Sequence, residues 1–206
     1  AKTNIIALSC HVDYYDTSDN LLSKKLCSRR QFEYSKHIPG SSVFTPQMVI
    51  NGSHSAIGYK TASLLETVRK AGATAPASIE IVQSPEKTEK NSNVQNKSNS
   101  GVQIHLPDLS GHTVSQNAPD LTLWMAEYEK EMSVNLPYKN GNKATITYAN
   151  VIIGKSVIEW DGQQTTLEID LPDKRDGQGL AIFVQKENGR ILAAGTIEWA
   201  AGDELN

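Results

Sequence analysis

A chain of 206 residues, 38% hydrophobic and 21% charged, holds enough apolar material for one large or two small packed domains. Its net charge of −3 is unevenly divided: residues 1–76 carry nine Lys/Arg against five Asp/Glu, and residues 77–206 carry eleven against eighteen. The basic excess is too small and scattered for a nucleic-acid partner, and no run of about 18 apolar residues offers a membrane span.

The opening "AKTNIIALSC" does not read as a signal peptide, because its apolar stretch is short and passes straight into "HVDYYD". Residues 4–10, "NIIALSC", form a near-continuous apolar run, the pattern of a strand covered on both faces. After a polar loop, "CSRRQFEYSKHI" predicts a helix with Phe32 and Ile38 inward and Arg29, Arg30 and Lys36 toward water, ended by "PGSS". "VFTPQMVING" follows: Thr45-Pro46 stands at the mouth of a strand, and Asn51-Gly52 is a hairpin turn. A proline there is either a plain strand start or a cis-proline held by local geometry or by a site. The return strand "SHSAIG" leads into a helix over 60–72 that stops at Gly72.

From about residue 77 the pattern changes to short alternating strands. Examples are "ASIEIVQ", "GVQIHL", "LTLWMAEY", "TTLEIDL" and "GLAIFVQKE", with hairpin signals at Asn140-Gly141, Asp161-Gly162 and Asn188-Gly189. The fold class expected is therefore α/β plus all-β. An α/β domain over 1–76 precedes an antiparallel β-sandwich-like domain over 77–206, with a mobile polar loop near 84–101 and a frayed tail at "GDELN".

Three sets of residues carry candidate chemistry. His11, Asp13 and Asp16 follow the first strand, where α/β sheets place functional loops. They suit a general acid/base group able to handle a thiol proton near neutral pH; the bland alternative is a strand-end histidine and two capping aspartates. They could also bind a metal, but one His and two Asp in so short a loop are a weak metal signal without a further ligand, and no cofactor is expected. Cys10 and Cys27 are too few for zinc; Cys10 reads as a small buried hydrophobe, and a disulfide between the two would be a structural staple. Trp124, Trp160 and Trp199 read as core packing rather than a binding face.

A strand, a helix, then Thr-Pro ahead of a hairpin and a closing helix is similar to the second half of a thioredoxin-like fold. "ALSCHVDYYD", "RRQFEYSK", "SVFTPQMVINGSHSAIG", "NGNKATITYANVIIG", "WDG" and "LAIFVQKENGRILAAG", in this order, resemble the secreted bacterial family known as domain of unknown function 1223. The resemblance implies a partial thioredoxin-like domain with a cis Thr45-Pro46 peptide lining a substrate groove, and a periplasmic or secreted location. It also implies an upstream strand and CxxC helix that have no counterpart in residues 1–206, so that a missing N-terminal segment or another chain would complete the sheet. A protein or peptide thiol or disulfide would then be the substrate of the completed protein, and residues 1–206 alone would lack oxidoreductase activity. The alternative is a non-catalytic binding or accessory protein using the same scaffold.

Overall fold

Helix α1 spans Lys25–His37 and ends where the Ile38 N–H closes onto the Tyr34 carbonyl, with Lys36 and His37 in its last turn, favourably placed against the helix dipole. Strands β1 (Gln47–Ile50) and β2 (His54–Ile57) form an antiparallel hairpin, and helix α2 (Thr61–Gly72) packs back on it. The turn needs two left-handed residues; Asn51 (φ 49°) and Gly52 (φ 65°) supply them, and the Asn51 amide reaches the Ala71 carbonyl near the end of α2. This computed structural model describes residues 5–15, 22–72, 76–84, 101–112, 121–137, 143–171 and 175–199. The polar loop expected near 84–101, the Asn140-Gly141 turn and the C-terminal tail lie wholly or mostly outside them.

Beyond α2 the described residues are mainly β, with one short 3-10 turn at Ser110–His112. Strands β3 (Ala77–Ser78), β6 (Leu121–Pro137), β7 (Lys143–Ile158), β9 (Gln178–Lys186) and β10 (Ile191–Glu198) make one sheet in the order β3-β10-β9-β6-β7. Strands β4 (Glu80–Gln83), β5 (Gly101–Leu106) and β8 (Thr165–Asp170) make a second, ordered β4-β5-β8. Alternation builds the core between them: Val102, Ile104 and Leu106 of β5 face Leu121, Leu123, Leu180, Ile182 and Val184 from the larger sheet, all buried. Each such side chain stabilises by about 1.5–3 kcal/mol, so this interior holds most of the fold's stability. Trp160 and Trp199 pack against it as expected. Asp161-Gly162 does not close a hairpin: β7 and β8 belong to different sheets, and the turn carries the chain across the sandwich.

Strand β9 is buried on both faces. Its other side, with Ala181, Phe183 and Gln185, is covered by the segment before and within α1. Here the sequence-based expectation needs correction. Residues 5–10 are not a doubly covered strand; they make a single parallel bridge, Ser9 to Val151, along the outer edge of β7, while Ile5 is 65% exposed. The Ser9 N–H donates to the Asn150 carbonyl (2.8 Å), and the Asn150 amide, on a left-handed backbone (φ 51°), donates to the Ala7 carbonyl (2.9 Å). Around α1, Ile38 is buried and Arg29 and Lys36 face water as expected, but Phe32 is half exposed and Arg30 turns inward onto the sheet.

The two hairpin turns meet. The Ile191 N–H donates to the Asn51 carbonyl (3.0 Å), and a Cβ on Gly52 would stand 1.8 Å from the Gly189 carbonyl oxygen. Gly52→Ala therefore combines backbone strain with a clash and is expected to cost roughly 2–4 kcal/mol. Gly40→Ala, at φ 70° with open space around it, is expected to cost about 1–2 kcal/mol from strain alone. Urea denaturation of both variants checks the difference.

Candidate functional site

The loop after Ser9 is stitched to α1 at three successive points. A disulfide joins Cys10 to Cys27, with Cα atoms 5.3 Å apart. One residue on, the Ser28 hydroxyl receives the Asp13 N–H (3.0 Å) and donates to the Asp13 carboxylate. One turn further, the Tyr14 hydroxyl donates to Gln31 Oε1 (2.8 Å). Cys27, Ser28 and Gln31 are the buried residues of α1, so the helix presents a polar inner face rather than the apolar one expected. Cys10 is exposed and bonded, which corrects its reading as a small buried hydrophobe.

The same Gln31 holds the Thr-Pro loop. Its Nε2 donates to the Phe44 carbonyl (2.7 Å) and to Gln47 Oε1 (2.9 Å), and Gln47 in turn donates to Ser55 Oγ (2.8 Å). The Thr45-Pro46 peptide is cis, as the resemblance implied, and both residues are exposed. The Pro46 carbonyl accepts from the Gly58 N–H (2.8 Å), and the proline ring lies against Gly58, where a Cβ would come within 3.2 Å. A cleft of about 270 Å³ opens behind this loop, lined by Ile38, Phe44, Ala56, Ile57, Lys60 and neighbours; Thr45 and Pro46 are not among its walls.

His11 and Asp13 are close in sequence but engaged differently. The His11 ring stands edge-on to Tyr148 of β7, its carbonyl accepts the Lys24 N–H, and its buried Nε2 has no hydrogen-bond partner. The Asp13 carboxylate is taken up by Ser28, and no hydrogen bond joins it to His11. Asp16 lies outside the described residues. Among the described residues no cluster of three or more His, Cys, Asp or Glu is placed to hold a metal. Sequence reasoning missed Tyr14, Ser28, Gln31 and Gln47; the one available signal was polar residues at helical spacing beside Cys27.

Residues 1–185 match the family described as Protein of unknown function (DUF1223). The chain belongs to DUF1223. No curated protein matches it. The DUF1223 chain is similar in fold to the crystal structure of protein AGR_C_4864 from Agrobacterium tumefaciens, at 18% identity and a TM-score of 0.61, over 97% of this chain and 82% of that one. At that identity the likeness concerns fold alone.

Burial lowers the pKa of His11. The unfolded chain therefore takes up its proton first as pH falls: the contribution of His11 to stability is complete above about pH 6.5 and is lost as pH drops toward the lowered folded value. His11→Leu should flatten this part of the profile. The check is the difference in unfolding free energy between the two proteins from pH 8 to pH 5; parallel curves would show that His11 does not titrate in a buried setting.

Proposed function

We propose that this DUF1223 chain is an exported bacterial protein whose α1, β1–β2 and α2 form a thioredoxin-like domain over 1–76, followed by the β domain over 77–206. In this reading the cis Thr45-Pro46 loop receives an extended peptide. The redox step is run by a CxxC pair on a strand that completes the sheet, supplied by the same polypeptide or by another chain.

The observation that carries this proposal is the loop itself. Pro46 has no N–H to pair, Thr45 and Pro46 are both exposed, and among the described residues β1 pairs only with β2, which suits the addition of a strand. Two further observations support it. Nine of the eleven large hydrophobics that lie exposed among the described residues fall between Ile5 and Leu65, an excess of exposed apolar side chains in this half that suits contact with a partner. The Cys10–Cys27 disulfide fits an oxidising compartment, hence a periplasmic or secreted location. His11, neutral near pH 7, and Asp13 would tune the incoming thiol, with Asp16 in the same loop. The Cys10–Cys27 disulfide itself holds that loop on α1.

A second reading has one observation in its favour: both cysteines are already joined and no free thiol stands among the described residues. On that reading the fold is a binding scaffold without redox chemistry. The two separate in a thiol–disulfide exchange assay with a dithiol-bearing peptide, run on this chain alone and on the natural polypeptide or a mixture that contributes a CxxC pair. Exchange is expected only when the pair is present, with Pro46→Ala slowing it at least about tenfold, the equivalent of 1.4 kcal/mol on the barrier. No exchange with the pair present contradicts the redox proposal and leaves the scaffold reading.

A further inference from the structure

Away from the Thr-Pro loop, a second cavity of about 260 Å³ opens between α1 and the outer face of the larger sheet, with Arg30, Tyr34, Trp124 and Gln185 among its walls. Trp124 was expected in the core. The alternation of β6 instead sends Leu121 and Leu123 inward and leaves Trp124 on the opposite face, half-buried beneath α1.

Two cations converge on its indole from different elements. Lys155 of β7 places its ammonium 3.2 Å from the ring centroid, and the Arg30 guanidinium of α1 lies 5.3 Å away. Arg30 is committed: it donates to Gln185 Oε1 (2.8 Å) and to the Tyr34 hydroxyl, and it meets Glu33 at 3.6 Å. Lys155 is not, for no carboxylate among the described residues lies within ion-pair distance of it. The Trp124 indole N–H is buried and finds no acceptor. Half-buried donors without acceptors, beside a fixed guanidinium, ask for an anionic oxygen.

We propose that a small anion, carboxylate or phosphate, binds where this cleft adjoins Lys155, which stands against Trp124 rather than among the cavity walls, held by the Lys155 ammonium and the Trp124 N–H with Arg30 supplying a fixed positive field. The cavity is smaller than the roughly 300–1,000 Å³ typical of drug-sized ligands, so the occupant is metabolite-sized. Because ligand and protein would be gripped from both α1 and the sheet, binding would also tighten the docking of the helix. The inference does not rest on the thiol–disulfide reading.

The charge environment is mixed, with Arg30, His37 and Lys186 sharing the walls with the carboxylates of Glu33 and Glu187. Burial, with Arg30 and Arg29 adding to it and Glu33 opposing, lowers the Lys155 amine to about 8. An anion in the cleft restores its proton. Glu33 stands on the α1 wall beside His37, opposite Lys186 and Glu187 at the end of β9.

The test titrates the purified chain separately with inorganic phosphate and with citrate at constant ionic strength and pH 8. It follows the Trp124 indole N–H resonance, assigned through Trp124→Phe, and the rate at which an amine-selective reagent labels Lys155. A saturable indole shift with at least about fivefold slower labelling is expected from one probe or both, and which probe acts identifies phosphate or carboxylate as the preferred chemistry. Lys155→Met should weaken binding about tenfold or more, as loss of a charged hydrogen bond does, while Lys155→Arg keeps it. No saturable response to either probe, or an undiminished response in Lys155→Met, overturns the proposal.

Discussion

A buried amide joins the two halves of this molecule. Gln185, only 4% exposed on the outer face of β9, accepts from Arg30 and donates to the Tyr34 hydroxyl (3.1 Å) and to the Gly189 carbonyl. A primary amide sealed between a helix and a sheet is tolerable only when its oxygen and nitrogen both find partners, and here every partner comes from α1 or from the adjoining turn. Removing it would take one acceptor from the part-buried Arg30, which keeps Tyr34 and Glu33, and loss of a hydrogen bond to a charged group costs roughly 1.5–3 kcal/mol. The helix is thus fixed on the sheet by polar complementarity rather than by an apolar seam, which is why its inner face reads Cys27, Ser28, Gln31 and Arg30 in place of leucines.

That docking sets the positions of everything with chemical interest. Through Cys27, Ser28 and Gln31 the helix holds the 10–14 loop; through Gln31 it also holds the Thr-Pro loop; through Arg30 and Tyr34 it closes the cleft over Trp124. One helix therefore serves two surfaces, a cis-proline loop open to an extended chain on one side and a cationic, aromatic cleft on the other. The sandwich contributes the rigid floor, where Tyr128 lies over Gly179 so closely that a Cβ there would come within 2.1 Å of the ring, and where its hydroxyl bonds Thr196 and Glu198.

How far the fold was legible follows from which signals are local. The Asn51-Gly52 and Asn188-Gly189 turns, the helix over 61–72 and strands β5, β8 and β9 depend on local rules, and the sequence shows them directly. The sheet assignment of β7 and β8 does not, so Asp161-Gly162 looked like a hairpin when it is a crossing between sheets. "NIIALSC" is apolar enough for a central strand, yet in the described fold only Ser9 forms a β-bridge to a neighbouring strand, and no composition rule distinguishes those two outcomes. Arg30 and Trp124 were each assigned by type, the charge to water and the ring to the core; their mutual contact reversed both. The Cys10–Cys27 bond and the Ser28 and Gln31 stitches are tertiary contacts across a loop, invisible to periodicity.

Native-state hydrogen exchange tests most directly whether α1 and the sandwich are one cooperative unit. If Gln185 and its partners fix the helix, amides in the middle of α1 open with the same free energy as those of Leu180–Val184, their protection agreeing within about tenfold. Helix amides that exchange a thousandfold or more faster than β9, as a loosely attached helix would, contradict the account.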